Sequence, residues 1–161
     1  MKRHRVRNGM NIQLVRKTVV ISCLLGLALI TGCAATGPTY TAMETIPEGK
    51  ALVYIYRPKK FMGGGVYFDV HAGHQETDEE IVTLKNGGYF PYITDPGEIE
   101  LWAKTESTSS VTLDLNAGDT SYVRASVGVG AFIGRPKLTI VDNAVGTAEV
   151  RECKLLGPAP R

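Results

Sequence analysis

The sequence predicts an all-β fold: a single sandwich of about seven to eight mostly antiparallel strands over residues 49–157, with a short C-terminal helix. Three observations carry this. Short runs alternate apolar and polar side chains, the period-two signature of a half-buried strand. Turn signals rich in Gly, Asn, Asp and Pro recur every ~8 to 12 residues, a sandwich spacing rather than that of alternating strands and helices. A segment of this length also suits one domain and is too short for two.

The elements follow in order. "KALVYIYRP" (50–58) is apolar on both alternating faces and ends at Pro58, which suits a central strand buried on both sides. "VYFDVH" (66–71) turns Val66, Phe68 and Val70 inward and Tyr67, Asp69 and His71 outward. "EIVTLK" (80–85) meets Asn86-Gly87, a dipeptide that accepts the positive φ angles of a tight hairpin turn, and "GYFPYI" (88–93) is the expected return strand. Asp95-Pro96-Gly97 makes the next turn. "EIELWAKT" (98–105) sets Ile99, Leu101 and Ala103 against Glu98, Glu100, Trp102 and Lys104. "VTLDLN" (111–116) points Val111, Leu113 and Leu115 inward, and the turn 116–119 leads into "TSYVRASV" (120–127). "KLTIVD" (137–142) is the last clear strand. The stretch after it reads as a short helix capped by Asp142 or Asn143, although Gly146 lowers its helix propensity.

Ahead of the domain, Lys2, Arg3, Arg5, Arg7, Arg16 and Lys17 precede an apolar run from Thr18 to Ile30, the layout of a secretory signal peptide over residues 1–32. The run is shorter than the ~20 residues a membrane-spanning helix needs. Met10 would give the more compact leader "MNIQLVRK" and is an alternative start. The run closes on Ile30-Thr31-Gly32-Cys33, which resembles the lipobox of bacterial lipoproteins. That resemblance implies cleavage between Gly32 and Cys33 and a diacylglycerol on the Cys33 thiol. A thiolate is the nucleophile such a transfer needs. Two or three acyl chains, at ~0.8 kcal/mol per buried methylene, make a lasting anchor. Since Ala34 rather than Asp follows, the resemblance further implies the outer membrane, on its periplasmic face.

Removing the leader changes the charge balance. The 18 Lys and Arg less the leader's six leave 12, against 16 Asp and Glu, a net of −4 where the whole chain has +2. Such a domain lacks the basic footprint that nucleic acid requires. Of three cysteines, Cys23 lies in the leader and Cys33 takes the lipid, so Cys153 has no intramolecular partner and reads as a small buried apolar residue. Residues 33–48 are small, polar and without periodicity. They read as the lipidated N-terminus and a flexible tether, whose ~15 residues of coil would span ~20 Å. Residues 158–161 form a tail.

The segments "IPEGKALVYIYRP", "LKNGGYFPYITDPGEIELWAKTE", "LNAGDTSYVRASVG" and "GRPKLTIV" together resemble a family of bacterial lipoproteins built on a domain of unknown function. The resemblance implies a sandwich similar to the transthyretin-like and carboxypeptidase-regulatory ones behind a lipid anchor; the strand pattern also suits an immunoglobulin-like arrangement. It implies no catalytic or binding residue and no cofactor beyond the covalent lipid.

Several positions remain candidates for function. "DVHAGHQETDEE" (69–80) offers His71 and His74 among carboxylates, a weak metal-ligand set that competes with a plain hairpin of solvated acids. "SVGVGAFIGRP" (126–136) lacks the following helix that a phosphate loop requires. Its Val129, Phe132 and Ile133 either cap the core or form an exposed contact. Phe61 and Met62, in "KKFMGGGVYF" (59–68), would join them in one interaction patch if the two loops share an end. Trp102 packs under a loop or adds to such a surface, together with Tyr54, Tyr56 or Tyr92. Arg57, Arg124 and Arg135 are expected to pair with carboxylates. No nucleophile stands beside a base in any familiar motif, so the chain reads as a non-enzymatic interaction or envelope-assembly module with a protein partner in the envelope. The alternatives are a small-ligand or metal-binding lipoprotein and, by fold analogy alone, a structural anchor of a secretion machine.

Overall fold

The computed structural model describes residues 34–74 and 77–159. They form β1 (Ala51–Tyr56), β2 (Phe68–His74), β3 (Thr77–Leu84), β4 (Gly88–Thr94), β5 (Gly97–Lys104), β6 (Thr108–Leu115), β7 (Thr120–Gly128), β8 (Arg135–Val141), α1 (Asn143–Val150) and β9 (Lys154–Leu155). One sheet has the order β8-β7-β1-β4-β9 and the other β3-β2-β5-β6. Pairing is antiparallel except between β1 and β7 and between β4 and β9. The chain is thus an all-β sandwich, with the two-residue β9 added to the strands expected.

Between the sheets, alternation does what the sequence predicts. Ile99, Leu101 and Ala103 of β5 are fully buried, facing Val53 and Ile55 of β1 and Val123 of β7 in one core that also takes in Phe68, Val70, Leu113 and Leu115. Val66, expected inward, lies ahead of β2 and is only partly buried.

β2–β3, β5–β6 and β7–β8 close as hairpins, but Asn86-Gly87 does not make the hairpin its sequence suggests. It is a corner that carries the chain from β3 in one sheet to β4 in the other. The cause lies in Asn86, which is buried. Its Nδ2 donates to the Lys60 carbonyl at 2.9 Å while its Oδ1 accepts from the Lys60 N–H at 3.0 Å. This pair of bonds fastens the corner to the loop after β1, and Gly87 supplies the φ of 71° that the turn requires. Pro91, inside β4, is tolerated because β9 pairs only with Gly88 and Tyr89 and leaves the rest of that strand edge free.

All six residues of β1 are buried, so the outer face of the five-stranded sheet must also be covered. A second apolar cluster does this: Leu52, Tyr54, Tyr56, Tyr89 and Tyr122 from the sheet, Val150 and Cys153 from and after α1, and Tyr40, Met43 and Ile46 from the N-terminal segment. That segment is therefore not the free tether its composition suggests. It is a strap laid across the sheet. Ala35 N–H donates to the Asn86 carbonyl at 3.1 Å, Leu155 N–H to Pro38 at 2.8 Å, and Tyr40 N–H to Cys153 at 3.1 Å. The Tyr40 ring packs edge-on against Tyr54 and Tyr89 at 5.4 and 5.2 Å, and Met43 N–H donates to the Tyr54 hydroxyl at 2.8 Å. Gly37 is required there, since a methyl would overlap the Leu155 carbonyl.

Asp142 caps α1, its carboxylate accepting from Val145 N–H at 2.9 Å. Gly146, which weakens the helix by propensity, lets it approach the sheet: a methyl there would overlap the Tyr122 ring.

Candidate functional site

Three places hold the candidate residues: one end of the sandwich, the outer face of the four-stranded sheet, and the buried surroundings of Cys153.

At the end of the sandwich, the 59–67 and 128–135 loops lie together. A methyl added at Gly134 would sit 3.9 Å from a Val66 methyl and 2.7 Å from Val127, and one at Gly63 would sit 3.3 Å from Val127. Phe61, Met62, Val129 and Phe132 do not cap the core. Met62, the least exposed of the four, is 82% exposed, and Ile133 is 59% exposed. Tyr67, which the alternation turned outward without placing it in this patch, adds a further side chain at 61%.

Three polar side chains, of Arg57, Glu106 and Thr105, shape this end. The Arg57 side chain is buried, and its guanidinium donates to the Val66 carbonyl at 2.5 Å and the Gly63 carbonyl at 2.6 Å while lying 5.8 Å from the Phe68 ring centre. It binds carbonyls rather than the expected carboxylate, and burial lowers its pKa. Glu106, in the β5–β6 turn, organises the second loop. Its carboxylate accepts from Ala131 N–H at 2.7 Å, Phe132 N–H at 2.5 Å, Gly134 N–H at 3.3 Å and from Ile133 N–H. The bonds from Ile133, Phe132 and Ala131 hold the Glu106 carboxyl at about 2, below its usual 4.5. Thr105 Oγ1 completes the clamp by donating to the Gly134 carbonyl at 2.6 Å. Arg57 had a readable signal, a charge adjoining a doubly buried strand; Glu106, in a polar turn, had none.

Beside this end lies a groove of about 460 Å³ lined by Arg57, Lys60, Phe61, Met62, Arg124 and Glu149, among others. Two of its charges, Arg124 and Glu149, are already matched to each other. Arg124 donates to Glu149 Oε1 at 3.0 Å, as expected of it, and the Tyr56 hydroxyl donates to Glu149 Oε2 at 2.6 Å.

On the outer face of the four-stranded sheet, Trp102 and His71 are register partners on β5 and β2. Their rings stack at 4.0 Å, 9° from parallel. The Trp102 indole N–H donates to Asp78 Oδ1 at 3.1 Å, and His71 Nδ1 lies 3.3 Å from Asp78 Oδ2 without hydrogen-bond geometry. Trp102 therefore belongs to neither end loop, nor does it join Tyr54 and Tyr56, which face out from the other sheet. The side chain of His74 lies outside the described residues. Among the described residues, no group of three or more His, Cys, Asp or Glu side chains converges to hold a metal.

Cys153 is fully buried, with Sγ 3.7 Å from the carbonyls of Arg57 and Glu149. Burial, reinforced by Glu149 and Glu152, pushes its thiol up to about 12, so it packs as an inert apolar residue.

The leader, with Gly32 and Cys33, lies outside the described residues. Among the described residues no helix is long and apolar enough to cross a membrane. No family model, curated protein or solved structure matches the chain.

Proposed function

We propose that the mature protein is a lipoprotein, acylated on Cys33 and held at the periplasmic face of the outer membrane, whose sandwich is a non-enzymatic interaction or envelope-assembly module. The observation that carries this reading is the coupling between the candidate anchor and the domain. The residue after Cys33, Ala34, pairs with the Asn86 corner, and the strap behind it is bonded to Cys153, Leu155 and Tyr54. A lipid on Cys33 would thus mount the domain firmly. It would also set one end, with Phe61, Met62, Val129, Phe132 and Ile133 exposed, against a surface of similar apolar character. The sequence likeness to lipoproteins with a domain of unknown function supports the same reading through the segments quoted above.

The test combines acylation and location. Cells grown with labelled palmitate should yield labelled wild-type protein in the outer-membrane fraction, and Cys33→Ala should give neither label nor membrane retention. A pull-down from detergent-solubilised envelopes should recover the same protein partners repeatedly with wild type. An unlabelled wild type found free in the periplasm would sink the anchor. An acylated wild type without partners would remove the assembly role.

A further inference from the structure

The geometry points to a bilayer as what the apolar end meets: we propose that the 59–67 and 128–135 loops rest in the interfacial zone of the same membrane that holds Cys33. This rests on the lipid-anchor reading and names the partner of its exposed surface.

Where the chain enters the domain is the first argument. Ala34 pairs with Asn86, and both amide atoms of the Asn86 side chain are bonded to Lys60, which immediately precedes Phe61 and Met62. One peptide unit, ~3.8 Å between Cα atoms, separates Ala34 from Cys33. Acyl chains on Cys33 therefore leave from the end of the sandwich that carries the exposed apolar side chains. A free tether would have let the domain turn in any direction; a bonded strap does not.

Charge is the second. Lys59, Lys60, Lys104 and Arg135 are exposed around the apolar loops. The turns and strand ends at the opposite end carry Asp95, Glu98, Asp114 and Asp119, with Lys50 paired to Asp95 at 2.6 Å, while at the apolar end the Glu106 carboxylate offsets one of the four cations. A domain that is acidic in sum thus turns its basic end toward the side where anionic phospholipid headgroups would lie.

The third is the state of the loop backbone. An apolar tip enters a zone of low dielectric only if its amides are satisfied. The N–H groups of residues 131–134 all donate to Glu106, which leaves Phe132 and Ile133 projecting from a closed turn. A protein surface could also accept apolar side chains. The adjoining entry of the anchor and the surrounding Lys59, Lys60, Lys104 and Arg135 favour the membrane.

The experiment uses the chain from residue 33 onward with Cys33→Ser, which keeps every described strand and both apolar clusters. It is mixed with vesicles of phosphatidylethanolamine and phosphatidylglycerol, or of phosphatidylcholine alone, and the bound fraction is measured by flotation. Binding should be stronger on the anionic vesicles. It should fall about tenfold for Phe132→Ser with Ile133→Ser, and comparably for Lys59→Glu with Lys60→Glu. Phe132→Trp in a Trp102→Phe background should shift its emission to the blue on vesicle addition. Unchanged circular dichroism would exclude misfolding as the cause of any loss. Absence of partition by the parent chain, or partition indifferent to both pairs of substitutions, overturns the proposal. So does loss of an envelope protein from the Phe132→Ser, Ile133→Ser pull-down with vesicle binding intact, which would make the end a protein site. Missing acyl label on wild-type Cys33 sinks the anchor reading instead; lost partition with the label present sinks this proposal alone.

Discussion

The two sheets share one core but differ in what lies on their outer faces. On the five-stranded sheet, Tyr54, Tyr56, Tyr89 and Tyr122 form an apolar face closed by α1 and by the strap carrying Tyr40, Met43 and Ile46. The four-stranded sheet shows an alternating face in which Glu98, Glu100 and Lys104 are exposed and in which His71, Trp102 and Asp78 form one organised cluster. The difference shows that a strand pattern states whether a face is covered without stating by what. The uniform burial of β1 demanded a cover. Part of that cover came from a segment whose few apolar side chains, Tyr40, Met43 and Ile46, span too short a stretch to mark an element.

The comparison can be broken first at its most loaded residue. Tyr54 is buried, stacks on Tyr122 at 5.3 Å, meets Tyr40 and accepts from Met43 N–H. Tyr54→Ala should cost about 3–5 kcal/mol of unfolding free energy in urea titration, and it should free the strap to proteolysis. An effect under about 1 kcal/mol would mean that the strap is not a structural layer. Tyr40→Ala, acting from the strap side on a half-buried ring, should cost about 1–3 kcal/mol and raise amide exchange at residues 38–43 without changing the inner core.

Gly146→Ala sets two effects of opposite sign against each other. Helix propensity favours alanine by about 1 kcal/mol, while overlap with the Tyr122 ring costs about 1–3 kcal/mol. The net should be destabilising by about 1 kcal/mol, and Tyr122→Ala should relieve only part of it, because the Cβ of residue 122 stays 2.4 Å from the added methyl; Tyr122→Gly, which removes that atom too, should reverse the sign. On the open face, Asp78→Ala removes only the exposed partner of Trp102 and His71. Its thermal midpoint should move by no more than about 0.5 kcal/mol allows, with a change in Trp102 fluorescence as the clearer signal.

Legibility divides along the same line. The strands of the inner core were readable because Ile99, Leu101, Ala103, Leu113 and Leu115 alternate with polar neighbours, and α1 because Asp142 stands before it as a cap. Asn86-Gly87 misled because a hairpin turn and a corner between sheets use the same positive φ; the bonds to Lys60 that decide between them are 26 residues away in sequence. The strap was unreadable because its three apolar side chains recur at every third residue over too short a span to be a helix. The apolar loops were visible as composition, whereas the clamp that shapes one of them depends on Glu106 meeting backbone 25 or more residues distant.

Glu106 lies on neither outer face, so it serves as the control on the comparison and should have the smallest effect on global stability. Its carboxyl is held at about 2 in the folded chain, against 4.5 otherwise. A depressed carboxyl contributes fully above the unfolded value and loses that contribution progressively as pH falls toward and through the folded one. The clamp on residues 131–134 should therefore persist unchanged from neutral pH to about 4.5 and be half lost near 2. Amide resonances of Ala131, Phe132 and Ile133 should titrate with a midpoint near 2 while those of β1 and β5 stay still. Glu106→Gln should loosen the same amides at neutral pH, since a neutral amide oxygen accepts more weakly than a carboxylate. A midpoint near 4.5 would show that the carboxylate does not hold the loop, and Phe132 and Ile133 would then project from a turn with no fixed shape.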